Sequence, residues 1–189
     1  MTEEQFYTSL RTNKLCLSFW GKATHFGFVL FLLSIPVMFS AVILYLSLTK
    51  TPTQRFYEAD TIPIFSLFII VPIFLAFLSY KMQVNGLKFK EIYTTLSRQQ
   101  LNDIIEKIGQ ELKWYPKEIN EHFIIAATKM SLFSWGEQIT ILFDSNRILI
   151  NSICDPDKRS SIGAFGRNRK NVNRLVEEIE KANENFLTK

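Results

Sequence analysis

The sequence predicts a membrane α-helical hairpin followed by a cytosolic α+β domain. Two segments, 26–48 and 62–80, are strongly apolar and contain no charged residue. At 1.5 Å per residue they reach roughly 34 and 28 Å, enough to cross a hydrocarbon layer of roughly 30 Å. The remaining chain has the mixed composition of a folded domain. The predicted units are an N-terminal cytoplasmic or interfacial segment, 1–25, the two-helix hairpin, 26–80, and the cytosolic domain, 87–189.

Two other interpretations of the apolar segments are disfavoured. The apolar part of a secretory signal is only about 7–15 residues long, and no small-residue cleavage site follows the first segment. Two core helices of a soluble protein would need a surrounding layer that a chain of 189 residues hardly provides. We therefore predict two transmembrane spans with the lipid bilayer as a partner.

Basic residues near the segments predict that both termini face the cytoplasm of a cell, with the spans in its inner membrane. Three precede the first segment and three follow the second, against two between them. The three groups are Arg11, Lys14 and Lys22; Lys81, Lys88 and Lys90; and Lys50 and Arg55. Neither segment contains Asp, Glu, Lys, Arg or His, which disfavours a selective transporter. Two helices are too few to line a pore, so a pore would require a homo-oligomer.

The predicted cytosolic domain consists of a helix, about three antiparallel strands and a second helix. Ser97 and Gln100 form a capping box before an apolar helical stripe. Residues 123–128 are predicted as a strand, and 139–143 with 148–150 as a β-hairpin. The last helix is predicted from Asn168 to Phe186, and both helices are placed on one sheet face. Its apolar stripe comprises Val172, Leu175, Val176, Ile179 and Phe186.

The N-terminal segment allows two interpretations. Leu15, Leu17 and Phe19 alternate with Cys16, Ser18 and Trp20. This pattern is compatible with an edge strand of the same sheet and equally with an amphipathic stretch at the membrane surface.

The sequence contains no familiar catalytic or metal-binding motif. His25 and His122 are far apart in the chain, and neither belongs to a spaced ligand set with cysteines or carboxylates. Cys16 and Cys154 are predicted to be reduced thiols in the cytoplasm. A Cys154–His122 dyad is conceivable, but no third orienting group accompanies it. We predict a protein that is not an enzyme and has no cofactor and no metal.

One segment of the chain concentrates positive charge. Six basic residues and no acidic one lie between Lys158 and Arg174, although the whole chain carries a net charge of +4. With Asn168 as the predicted N-cap, three cations lie at the positive end of a helix dipole, which is unfavourable unless an anion binds there. The candidate ligand-binding residues are Lys158, Arg159, Ser160, Ser161, Arg167, Asn168, Arg169 and Lys170.

Three interpretations of this basic segment remain open. It is compatible with a solvated loop, because charged runs are often only that. It is compatible with contact to anionic lipid headgroups. It is also compatible with a pocket for a small anionic ligand, such as a nucleotide. Double-stranded nucleic acid is excluded as a partner because the patch is short and only Phe165 could stack on bases.

The run from Ser134 to Val172 resembles a family of small bacterial α+β domains of unknown function. It contains S-W-G-E-Q-I-T-I-L-F-D, then R-I-L-I-N-S, then F-G-R-N-R-K-N-V. Ser152, Gly166 and Asn168 match the family's signature of an R-S-x-S-R-x-G run followed by D-x-G-x-N-x-x-R, whereas Ala164 replaces its aspartate. The resemblance implies two strands, a basic loop and a helix in that order, and it implies no catalytic residue.

The architecture is also similar to that of membrane effectors of bacterial antiviral defence systems. In those proteins a cytosolic domain binds a cyclic nucleotide and a short helical hairpin perturbs the membrane. The leading hypothesis is a non-enzymatic membrane protein whose cytosolic domain binds a ligand or a partner. A cyclic-nucleotide-gated effector that forms an oligomeric pore is the alternative.

Overall fold

The structure is a computed structural model that describes residues 1–49, 62–130, 135–158 and 166–187. Its helices are α1 (Glu3–Thr12), α2 (Phe19–His25), α3 (Gly27–Thr49), α4 (Ile62–Gly86), α5 (Arg98–Leu112) and α6 (Arg167–Leu187). Its strands are β1 (Lys90–Tyr93), β2 (Trp114–Ile119), β3 (Phe123–Thr128), β4 (Glu137–Asp144) and β5 (Arg147–Cys154).

The chain divides into two compact units. The sheet unit comprises residues 1–25 and 84–189, and the helical hairpin unit comprises residues 26–83. The N-terminal segment is therefore part of the same unit as the sheet. The sequence predicted residues 1–25 as a separate segment because a long apolar stretch lies between them and the rest of the domain.

The described strands form one antiparallel sheet in the order β1-β5-β4-β3-β2. The strand predicted over 123–128 is confirmed, and the predicted β-hairpin is confirmed with longer strands joined through Ser145 and Asn146. Five strands are described instead of about three, because the two edge strands β1 and β2 were not predicted. Strand β1 is only four residues long, β2 contains Pro116 followed by two charged residues, and neither shows the apolar alternation that marks a half-buried strand.

Helices α5 and α6 pack on one face of the sheet, as predicted. Ser97 is the N-cap of α5, and its capping box with Gln100 is confirmed. The buried core of this face contains Ile92, Leu101, Ile105, Ile108, Ile124, Ala126, Ile139, Ile141, Ile148, Ile150, Leu175, Val176 and Ile179. Val172 packs against it, whereas the side chain of Phe186 lies outside the described side chains.

The N-terminal segment covers the opposite face of the sheet. Helix α1 begins with a capping box between Thr2 and Gln5, and it buries Phe6 against the sheet. Leu15 and Leu17 follow in extended chain and join the same apolar cluster. Strands β3, β4 and β5 are consequently buried on both faces, which accounts for their nearly continuous apolar sequences.

The helical hairpin unit has a small interior and an apolar exterior. Val29, Leu32 and Ala76 are buried between its helices, and the rings of Phe39 and Phe68 stack with centroids 4.8 Å apart. The small Ala76 allows the two helices to approach closely. Most other large apolar side chains described on α3 and α4 are exposed.

Candidate functional site

Two carboxylates are buried side by side at one end of the sheet. Glu137 is the first residue of β4, and its register partner on β5 is Cys154. Asp155 follows directly, and its backbone N–H donates to the carbonyl oxygen of Gly136 at 3.0 Å. Both carboxylate side chains are completely inaccessible to solvent. Buried carboxylates require partners, so the neighbouring cations define the chemistry of this sheet end.

Glu137 is held by Thr128 and Arg167. The Thr128 hydroxyl donates to Oε2, and the Glu137 backbone N–H donates to the Thr128 hydroxyl oxygen at 2.9 Å. Nη2 of Arg167, at the start of α6, lies 3.2 Å from the same Oε2. The other oxygen, Oε1, has no hydrogen-bond partner in the described part of the chain. Arg167, at the start of α6, therefore has a carboxylate partner within the protein.

Asp155 is held by lysines from two different segments. Nζ of Lys117 on β2 donates to Oδ1 at 2.8 Å and also to Oδ2 of Asp157 at 2.7 Å. Nζ of Lys158 lies 3.6 Å from the second Asp155 oxygen. Lys158 also donates to the hydroxyl of Tyr115 at 3.3 Å. The turn around Pro156 therefore holds the beginning of the basic segment against the sheet.

The charges in this cluster balance. Burial by itself lowers the pKa of the Lys117 ammonium, but the hydrogen bonds to Asp155 and Asp157 more than offset this, so the net pKa is raised. Lys117, Lys158 and Arg167 supply three positive charges against the three carboxylates of Glu137, Asp155 and Asp157. Little net positive charge remains here to attract an external anion.

A chain of hydrogen bonds ties α6 to the same sheet end. Nε1 of Trp114 donates to Oδ1 of Asn171 at 3.2 Å, and Nδ2 of Asn171 donates to Oγ of Ser152 at 3.1 Å. The Ser152 hydroxyl donates in turn to Oδ1 of Asn168 at 3.1 Å. Since α6 begins at Arg167, Asn168 lies inside the first turn instead of at the predicted N-cap position, and its side chain bonds the sheet.

The predicted ligand-binding residues fall into three groups. Lys158, Arg167 and Asn168 make contacts within the protein. Arg169 and Lys170 are exposed on the first turn of α6. Arg159, Ser160 and Ser161 lie outside the described residues.

The hypothetical Cys154–His122 dyad is incompatible with the sheet register. Cys154 is paired with Glu137 at one end of β4, whereas the carbonyl oxygen of His122 accepts from Phe143 near the other end. Glu137 and Phe143 are six residues apart on β4, so Cys154 and His122 are separated by roughly 20 Å along the strand. The ring centroid of His122 instead lies 5.4 Å from that of Phe6, and Cys16 and Cys154 form no disulfide with each other.

The same sheet end carries the two segments that connect to the helical hairpin. Nδ2 of Asn151 donates to the carbonyl oxygens of Gly86 and Lys88 at 2.8 and 2.9 Å. A methyl group added to Gly21 would lie 3.7 Å from Cβ of Pro156. Within the sheet unit, the segments that precede and follow the hairpin therefore lie close to the charged cluster.

The buried carboxylates Glu137 and Asp155 and their partners Thr128 and Lys117 were not among the predicted site residues, whereas Lys158 and Arg167 were. Glu137 and Lys117 each occur singly on polar parts of strands, so no local pattern distinguishes them. The only signal was the pair Asp155 and Asp157 around Pro156, a pattern that predicts a turn. The turn is confirmed by the hydrogen bond from the Lys158 N–H to the Asp155 carbonyl oxygen at 3.1 Å.

Comparison of this chain with protein-family models, with curated proteins and with solved structures gives no match. The functional interpretation therefore depends on the fold and on the site alone.

Proposed function

We propose that this is a two-span integral membrane protein whose sheet unit is a binding module for a ligand or a partner protein. One observation carries the proposal. Two helices, Gly27–Tyr45 and Ser66–Gly86, are long and apolar enough to cross a membrane, and only 17% of each apolar window is buried inside the structure. Helices of the same composition in a soluble core would be mostly buried.

The exposed side chains of these helices support insertion into lipid. Large apolar residues are exposed on both helices, including Phe31, Val37, Ile70 and Phe74. In water such a continuous apolar surface would far exceed the few hundred Å² that soluble monomers usually expose. In a bilayer the same surface is matched by the acyl chains, and the helices satisfy their own backbone hydrogen bonds.

The outer part of the basic segment is the proposed contact for an anionic ligand or partner. Lys158 and Arg167 are neutralised by buried carboxylates, and they fix the two ends of the segment to the sheet. Arg169 and Lys170 make no ion pair with any residue that the structure describes. They lie in the first turn of α6, where an anion is favoured by the helix dipole.

Membrane insertion is tested by washing membranes that contain the full chain with alkaline carbonate. We expect the protein to stay in the membrane pellet and to require detergent for release. Ile70→Arg should weaken retention, because an arginine at the centre of a span costs about 2.5–3.5 kcal/mol. Tyr7→Arg, which changes an exposed residue of the sheet unit, is the matched control and should leave retention unchanged. Release of the parent protein by carbonate alone would refute the proposal.

Ligand binding is tested by thermal unfolding of the full chain in detergent with inorganic phosphate, linear nucleotides and cyclic nucleotides. A ligand at 100 times its dissociation constant should stabilise the protein by about 2.7 kcal/mol. The double variant Arg169→Ala, Lys170→Ala should lose this gain, whereas Lys129→Ala with Lys181→Ala should keep it. Stabilisation by a cyclic nucleotide, together with dye release from vesicles, would favour the gated effector. If none of these anions stabilises the parent, the basic segment is not their site.

A further inference from the structure

Two lysines lie directly opposite each other where the chain enters and leaves the hairpin. Lys14 and Lys88 form an isolated antiparallel bridge in the sheet unit. The Leu15 N–H donates to the Leu87 carbonyl oxygen at 2.8 Å, and the Phe89 N–H donates to the Asn13 carbonyl oxygen at 3.1 Å. Because the flanking residues make these bonds, the lysines form a non-hydrogen-bonded pair, in which side chains are closest.

The local packing makes these lysines point into solvent. Leu15 and Phe89 are buried in the apolar cluster of the second sheet face, whereas Lys14 and Lys88 are exposed. Lys90, two residues after Lys88, is exposed as well. None of the three makes an ion pair within the described ranges of the chain. Like charges directly opposite each other on strands are destabilising, so this arrangement favours an external anion.

An exposed aromatic pair adjoins these lysines in the sequence. Phe19 and Trp20 form an edge-to-face pair with ring centroids 5.4 Å apart. Their exposed fractions are 76% and 77%, unusually high for large aromatic rings in a folded unit. Lys22 follows on the same short helix α2, and α3 begins at Gly27. Tryptophan beside basic residues at the start of an apolar helix is typical of the membrane–water interface.

We propose that Lys14, Lys22, Lys88 and Lys90, together with Phe19 and Trp20, form a docking surface for anionic phospholipid headgroups. We call these six residues the root surface. The proposal rests on the proposed function, since the occupant is the bilayer that receives the hairpin. The unpaired lysines supply the charge, and the chain connection to α3 and α4 supplies the proximity. The phosphate groups of the lipids neutralise the Lys14–Lys88 pair, and the rings lie among the headgroups.

The experiment uses the full chain reconstituted into vesicles that contain phosphatidylcholine and phosphatidylglycerol in a 3:1 ratio. Bromine is placed near the headgroup end of the acyl chains of one lipid or of the other, and it quenches nearby tryptophan fluorescence. The Trp20 signal is obtained as the difference between the parent and Trp20→Phe. We expect Trp20 to be quenched more strongly by the brominated anionic lipid, at equal mole fraction, than by the brominated neutral lipid.

The lysine variants test whether the root surface causes this preference. Lys14→Gln, Lys88→Gln and Lys22→Gln should each lower the relative affinity for the anionic lipid by about fivefold. Lys181→Gln is the matched control, because it removes an exposed lysine near the Asn183 contact to Tyr93, at the other end of β1. Since Lys22 lies outside the bridge, its variant tests the surface without altering the Lys14–Lys88 pairing.

The outcomes separate this proposal from the proposed function. Vesicles are washed with carbonate, which reports insertion independently of headgroup charge. A parent protein that stays inserted but shows equal quenching by both lipids would overturn the root surface alone, as would a control variant that loses the preference equally. A parent protein released by the wash would overturn both proposals.

Discussion

Arg167 and Glu137 form an ion pair that is buried on one side only. The Nη2–Oε2 distance is 3.2 Å, the carboxylate is fully buried, and the guanidinium side chain keeps 36% of its surface exposed. The pair joins the first residue of α6 to the first residue of β4. If Glu137 is removed, water can still hydrate the exposed guanidinium of Arg167. If Arg167 is removed, the buried carboxylate of Glu137 stays without water. The two residues therefore do not contribute equally to stability.

Arg167→Ala should therefore destabilise the protein more than Glu137→Gln does. The first variant leaves an uncompensated buried carboxylate, which costs about 3 kcal/mol or more, whereas the second leaves an arginine that water can reach. Chemical denaturation of the full chain in detergent measures both. The double variant Arg167→Ala, Glu137→Gln should recover part of the loss, and Arg169→Ala on the same turn is the control. Equal effects of the two single changes would contradict the asymmetry.

Phe6→Ala should destabilise the sheet unit by about 3 kcal/mol, because it removes a buried aromatic ring from the cluster between α1 and the sheet. Its neighbour Tyr7 is 63% exposed, so Tyr7→Ala should change stability by no more than about 0.5 kcal/mol. Both are measured by denaturation in detergent. If Phe6→Ala were as mild as Tyr7→Ala, the N-terminal helix would not be part of the folded unit.

The ion pairs of Arg174 predict a defined pH dependence. Hydrogen bonds from Arg174 lower the pKa of Glu111, and those from Lys107 and Arg174 lower the pKa of Glu178. A lowered pKa in the folded state stabilises the protein above the ordinary value of about 4.5, and this contribution is lost as the pH falls through the lower folded value.

Arg174→Gln should thus lower the unfolding midpoint at pH 7, and the difference from the parent should shrink as the pH falls below the ordinary glutamate value of about 4.5. Thermal unfolding across this pH range measures it. Arg169→Gln on the same helix removes an equal charge without these partners and should show no such convergence. A deficit of Arg174→Gln that is constant with pH would show that the pKa shifts do not contribute.

Ala76→Leu should separate α3 from α4. Ala76 is 2% exposed and packs against Val29 and Leu32, so a larger side chain overpacks the interface and costs about 1–3 kcal/mol. Ala41→Leu is the control because Ala41 is exposed on α3. The contact between positions 29 and 76 is checked by disulfide trapping in a variant that carries both Val29→Cys and Ala76→Cys. Trapping is compared with and without the distant Ala41→Leu change. If Ala76→Leu were as stable as the parent, α3 and α4 would not approach each other closely at this position.

Local patterns in the sequence predicted helices α3 to α6 and strands β3 to β5, but not α1, α2, β1 or β2. The two uncharged apolar segments predicted α3 and α4, and the Ser97 capping box predicted the start of α5. Continuous apolar runs predicted β3, β4 and β5. The same capping pattern occurs between Thr2 and Gln5 and would have predicted α1. These signals are visible because periodicity and capping involve residues only a few positions apart.

Only the tertiary structure decided which distant residues meet. It placed β1 and β2 at the sheet edges, α1 on the second face, and Glu137 beneath Arg167. It also brought Lys14 against Lys88 across the whole hairpin. Edge strands need few apolar residues, and a buried carboxylate is recognised only by the cation that folding brings to it. Such pairings depend on long-range burial and strand register, which no short stretch of sequence encodes.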